Sequence, residues 1–104
     1  MSFFVYHRYG ECEDDPPLSS FPALLDELEE RLEDVEHGSV SVVHESEWAL
    51  GMMRGGYVVF ELATGEGPSR HLVDIPRAKV IELMISLARG DIAALEAEPW
   101  KSGY

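Results

Sequence analysis

The sequence predicts an α+β fold, in which one antiparallel-rich sheet of about five strands has helices packed on one face. Two periodicities indicate this class: apolar residues alternate with a period of two in several short segments, and they recur every three or four residues in longer ones. The alternating segments follow one another along the chain, with helical segments before and after them, which favours separate sheet and helix layers. The expected order is β-α-β-β-β-β-α-α, in a single domain over residues 1–104.

The strands are predicted from β-branched and aromatic residues that are bounded by turn-forming residues. The first covers residues 3–9, and the acidic, proline-containing segment 10–18 after it is predicted to be a loop. Gly55 and Gly56 favour a tight turn between two later strands, because glycine adopts positive φ at little cost. Those later strands are predicted at residues 39–45, 47–53, 57–62 and 70–75.

The first helix is predicted to begin near Ser19 or Ser20, where a hydroxyl can cap free backbone amides, and to end at Gly38. Its core-facing side is an apolar stripe at helical spacing. The stripe consists of Phe21, Leu25, Leu28, Leu32 and Val35.

Two further helices are predicted after the strands. Asp74 is the expected cap of the second, which ends at Gly90. Asp91 is the expected cap of a short third helix over residues 92–96, and a large apolar residue, Trp100, then predicts a docked C-terminal segment.

The net charge of −12 is concentrated in the first half of the chain. Residues 1–47 contain thirteen Asp or Glu and two Arg, giving −11, whereas residues 48–104 contain seven Asp or Glu and six Lys or Arg, giving −1. Such a surface repels nucleic acid and anionic lipid, so we expect neither as a partner. The apolar runs are too short to cross a bilayer. Because the surface is strongly negative, a basic protein is the expected partner.

A single cysteine, Cys12, excludes an internal disulfide and favours a reducing compartment. Residues 1–10 have no positive region before their few apolar residues, which is not typical of a secretory signal. The predicted location is therefore cytoplasmic.

No motif in the sequence predicts catalysis, a metal site or a cofactor. Acidic neighbours disfavour the thiolate that a catalytic Cys12 would need. No two of the four histidines have the i, i+4 spacing of a helical zinc pair. His37 is predicted in the last turn of the first helix, and for the other three ordinary packing on strands is favoured over a shared metal site. The four histidines are His7, His37, His44 and His71. We therefore expect a binding protein that is not an enzyme.

Carboxylates crowd the face of the first predicted helix that lies opposite its apolar stripe. They are Asp26, Glu27, Glu29, Glu30, Glu33, Asp34 and Glu36. Like charges three or four residues apart each cost about 0.2–0.5 kcal/mol in an isolated helix. Either this face serves solubility, or it docks a basic partner with help from Asp14 and Asp15. An immunity or antitoxin-type protein is the specific form of the second hypothesis.

Two alternatives remain open from the sequence. The first is a small-ligand-binding protein or enzyme with a pocket on the sheet face, near Trp48, Met52, Tyr57 and His71. The second is an accessory subunit that self-associates through residues 98–104.

Overall fold

A computed structural model describes residues 2–30 and 38–103, and within these residues seven strands form one open antiparallel sheet. The order across the sheet is β2-β1-β3-β4-β5-β6-β7. The strands are β1 Phe3–Tyr6, β2 Cys12–Asp14, β3 Ser39–His44, β4 Trp48–Met53, β5 Tyr57–Leu62, β6 Arg70–Leu72 and β7 Lys101–Ser102. The predicted α+β class is confirmed, but the predicted number of about five strands is too low, because β2 and β7 add a strand at each edge.

The β2 edge lies inside the segment that the sequence predicts to be a loop. Gly10, with a φ of 94°, allows the chain to reverse, and the His7 amide donates to the Glu11 carbonyl at 2.7 Å. The returning strand then pairs Tyr6 with Cys12 across the sheet. Edge strands of two or three residues are too short to display a period of two, so the alternation of apolar residues does not reveal them.

The helices cover one face of the sheet, and the hydrophobic core lies between the two layers. They are α1 Phe21–Asp26, α2 Arg77–Ala88 and α3 Ile92–Glu96, and 3-10 turns lie on either side of α1 at Leu18–Ser20 and Glu27–Glu29. A row of apolar residues crosses the four central strands on the inner, helix-covered face. The row is Val5, Val42, Leu50 and Phe60, all buried. None of the helices in the described ranges is long and apolar enough to span a bilayer.

The first helix is much shorter than predicted. It ends at Asp26, one 3-10 turn follows, and Glu30 is extended, with φ −86° and ψ 147°. Arginine side chains take the carbonyls that a continuing helix would use for amides four residues later: Arg8 Nη1 donates to the Glu27 carbonyl at 2.8 Å, and Arg54 Nε to the Leu28 carbonyl at 3.0 Å. Part of the predicted helix lies outside the described residues. That part includes Leu32, Glu33, Asp34, Val35, Glu36 and His37.

Of the two caps predicted for the later helices, the cap of α3 is confirmed and the cap of α2 is wrong. Asp91 caps α3 as predicted, with its side chain accepting the Ala94 amide at 3.2 Å. Asp74 does not cap α2, because Pro76 occupies that position and makes no side-chain bond, while Asp74 itself has a φ of 55°. Gly90, with a φ of 74°, follows the end of α2 as expected.

Candidate functional site

An acidic cleft of about 250 Å³ opens where the end of β1 meets the 3-10 turn after α1. The β1–β2 turn contributes His7, Tyr9 and Glu11, and the segment after α1 contributes Glu27 and Glu30. Three of these five described lining residues are carboxylates. We call this site the acidic cleft.

His7 links the two sides of the acidic cleft. Its Nδ1 lies 2.7 Å from Glu27 Oε2, and its Nε2 lies 2.9 Å from Glu13 Oε1. A carboxylate accepts hydrogen bonds, so both contacts are hydrogen bonds only when both ring nitrogens have a proton. The hydrogen bond to Glu27, and then the one to Glu13, raise the pKa of His7 above its ordinary value. The imidazolium therefore connects β2 to the segment that follows α1.

Arg8 is only 2% exposed and fixes Glu27 from the other direction. Its backbone amide donates to Glu27 Oε1 at 3.0 Å, while its Nη1 donates to the Glu27 carbonyl. The guanidinium carbon lies 5.5 Å from the centre of the Tyr9 ring. The Glu27 carboxylate already accepts hydrogen bonds from His7 and Arg8, which hold the segments around it together. It is therefore only partly available to a ligand.

The other two cleft carboxylates are differently placed. Glu11 and Glu30 are exposed, and within residues 2–30 and 38–103 neither side chain has a hydrogen bond or ion pair. Tyr9 lies beside them and is 44% exposed. Glu11 and Glu30 are therefore the carboxylates of the acidic cleft that can bind an incoming cation without first losing a partner.

The other described carboxylates that were predicted to bind a partner do not line the cleft. Asp26 binds Arg77 Nη2 at 2.7 Å, away from the cleft. Asp15 accepts the Phe3 amide at 3.0 Å, and Asp14 is exposed on the edge strand β2. Of the predicted partner-binding residues, Glu27 and Glu30 line the cleft, whereas Asp14, Asp15, Asp26 and Glu29 do not. Glu33, Asp34 and Glu36 are outside the described residues.

Three residues of the acidic cleft were not predicted from the sequence: His7, Tyr9 and Glu11. The available signal was the pair of basic residues, His7 and Arg8, in a segment rich in aromatic and acidic residues. Two adjacent cations near clustered carboxylates favour ion pairs within the chain, which lowers the number of carboxylates left for a partner.

The four residues of the predicted sheet-face pocket do not form one pocket. Side chains alternate along a strand, so Trp48 and Met52 are on the inner face, whereas Tyr57 and His71 are on the outer face. On the inner face, the Trp48 ring stacks on Phe60 at 4.7 Å between centroids. On the outer face, the rings of Tyr57 and His71 stack at 5.5 Å. Of the four, Met52 and Tyr57 line a common cavity at the end of the sheet.

The remaining chemistry-bearing residues do not converge. Cys12 is exposed on β2, between Glu11 and Glu13. In the described part of the chain, no three His, Cys, Asp or Glu side chains are grouped so that they could hold a metal ion.

Comparisons with protein families, with curated proteins and with solved structures found no match for this chain. Its function is therefore inferred from its own residues and their geometry.

Proposed function

We propose that this protein docks a basic protein at the acidic cleft, and that it acts as an immunity or antitoxin-type inhibitor. The main support is the state of two carboxylates: Glu11 and Glu30 are exposed and have no partner in the described residues, whereas the nearby cations His7 and Arg8 are engaged with Glu27. The cleft thus offers two carboxylates that no cation in residues 2–30 and 38–103 neutralises.

The contents of the cleft suit an arginine or lysine side chain of the partner. A guanidinium or ammonium group would bind the carboxylates of Glu11 and Glu30. The Tyr9 ring is 44% exposed, and it could contact the aliphatic part of the same side chain or its charge. Arginine beside an aromatic ring is a frequent centre of binding energy in protein interfaces.

The walls of the cleft are already held in place. His7 joins Glu13 on β2 to Glu27 after α1, so both walls have fixed positions before a partner arrives. A preorganised site loses less conformational entropy on binding, which leaves more of the contact energy as affinity.

The surrounding charge favours fast association with a basic partner. Residues 1–47 have a net charge of −11, so the field extends well beyond the cleft. Complementary charge raises association rates and discriminates between partners more than it raises affinity. The inhibitor role itself is proposed from small size and acidity, because a small acidic protein suits the neutralisation of a basic enzyme such as a nuclease.

A co-expression experiment tests the inhibitor role. A basic protein encoded next to this chain would be expressed alone and together with it, and growth would be measured. We expect the basic protein alone to arrest growth and the unmodified chain to restore it. Restoration should weaken for Glu11→Lys plus Glu30→Lys, which reverses the two available charges. A harmless neighbour, or toxicity that the unmodified chain does not relieve, would contradict the inhibitor role.

A further inference from the structure

A second cavity, of about 170 Å³, lies on the other side of the same 3-10 turn. Its floor is apolar and comes from both layers of the fold. The floor consists of Leu25, Leu28, Met52, Ile75 and Val80. Two arginines, Arg54 and Arg77, lie at its rim together with Glu29. We call this site the arginine pocket.

The guanidinium of Arg54 is fixed in position, but within the described residues only one of its three nitrogens donates a hydrogen bond. Its Nε donates to the Leu28 carbonyl at 3.0 Å, which fixes the group beside the pocket. Its Nη1 and Nη2 make no hydrogen bond within the described residues. These two nitrogens form the end of the planar fork that binds a carboxylate through two parallel bonds.

Arg77 adds a second, positioned positive charge. Its Nη2 donates to the Pro22 carbonyl at 2.8 Å and to Asp26 Oδ1 at 2.7 Å. The side chain is 49% exposed, so solvent screens it in part. Two of the eight Lys or Arg residues of a strongly acidic chain therefore line one small pocket with an apolar floor.

Direct backbone packing forms one wall of the pocket. The Ile75 amide donates to the Gly56 carbonyl at 3.1 Å. A Cβ atom on Gly56 would lie 2.4 Å from the Ile75 carbonyl oxygen, so only glycine allows this approach. The β4–β5 turn is thereby fixed against the segment before α2, and the wall exists without a ligand.

We propose that the arginine pocket binds a small apolar carboxylate, with the hydrocarbon on the Leu25, Leu28 and Met52 floor and the carboxylate on Arg54. Charge favours this class, because Arg54 Nη1 and Nη2 have no acceptor in the described residues. A cation would lie beside this guanidinium, and a neutral compound would leave the Arg54 fork unused. The volume is below the 300–1,000 Å³ or so of sites for drug-sized ligands, which restricts the ligand to a short branched chain or one aromatic ring. This proposal is independent of the acidic cleft.

The test compares two probes of the same shape on the unmodified protein. Sodium 4-methylpentanoate and neutral 4-methylpentanamide would be titrated while NMR follows the methionine methyl groups. We expect saturable shifts of the Met52 and Met53 methyls with the carboxylate, with a Kd on the order of 1 mM, and at least about five-fold weaker binding of the amide. Equal binding of the two probes, or unmoved methyl signals with the carboxylate, would overturn the proposal.

Two substitutions locate the carboxylate contact. Arg54→Gln should weaken 4-methylpentanoate binding about five- to ten-fold, because it removes the guanidinium. Arg89→Gln makes the same change in charge at the far end of α2 and should leave the Kd unchanged. Unaltered binding by Arg54→Gln, or an equal loss in both variants, would contradict the assignment to this pocket. Should Arg54→Gln fail to fold, the comparison of the two probes on the unmodified protein still decides the result.

Discussion

Two cavities of opposite character lie on either side of one 3-10 turn. Glu27 and Glu30 line the acidic cleft, whereas Leu28 and Glu29, between them in sequence, line the arginine pocket. The first cavity offers carboxylates beside a tyrosine, and the second offers arginines above an apolar floor. A net charge of −12 therefore does not decide what each surface binds. What each surface can bind depends on which of its charged groups already have a partner within the protein.

The same difference exists between two carboxylates of one cleft. Glu27 accepts bonds from His7 and Arg8, and Glu30 has no such bond in the described residues. In this account Glu27 stabilises the fold and Glu30 serves the partner. Separate measurements of stability and binding test whether the two carboxylates have these different roles.

The largest expected effect is the loss of stability in Glu27→Ala. Removing this carboxylate leaves the Arg8 amide and His7 Nδ1 without their acceptor, beside a guanidinium that is almost fully buried. We expect a decrease of about 2–3 kcal/mol in the free energy of unfolding, measured by urea denaturation. Glu30→Ala, the matched change at an exposed position, should remain within about 0.5 kcal/mol of the unmodified protein. Similar losses in the two variants would refute the division between them.

A smaller effect is the pH dependence of the His7 bridge. Because the pKa of His7 is raised in the folded state, its stabilisation is complete below the ordinary value of 6.5 and disappears as the pH rises through the folded-state pKa. The difference in unfolding free energy between the unmodified protein and His7→Gln should be about 1 kcal/mol or less at pH 6 and should shrink towards pH 9. Urea denaturation at both pH values measures it. A difference that stays constant between pH 6 and 9 would mean that the imidazolium does not provide the link.

Features that depend on nearby residues in the sequence were predictable. The alternation of apolar residues predicted β5 over residues 57–62, and Asp91 predicted the start of α3 over residues 92–96; the structure confirms both. The end of the first helix was not predictable, because it depends on Arg8 and Arg54, which reach it from distant parts of the chain. Apolar periodicity contains no information about such tertiary bonds.

The candidate site was predicted only in part, for similar reasons. Glu27 and Glu30 follow from charge alone, but Glu11 joins them only because the β1–β2 turn places it across from the 3-10 turn. Strand parity would have separated two residues of the predicted sheet-face pocket: Tyr57 pairs with Met53, five residues after Trp48, so Trp48 and Tyr57 lie on opposite faces of the sheet.

The central claim is that the acidic cleft, rather than acidity in general, docks the basic partner. The direct measurement is the Kd for that partner, at about 50 mM salt, of two variants with equal changes in charge. Glu11→Gln plus Glu30→Gln alters the cleft, whereas Glu45→Gln plus Glu66→Gln alters exposed turns at the opposite end of the sheet. We predict that the cleft variant raises the Kd roughly ten-fold or more and the distal variant less than about three-fold. Equal changes in the two variants would contradict the claim and would leave solubility as the reason for the acidic surface.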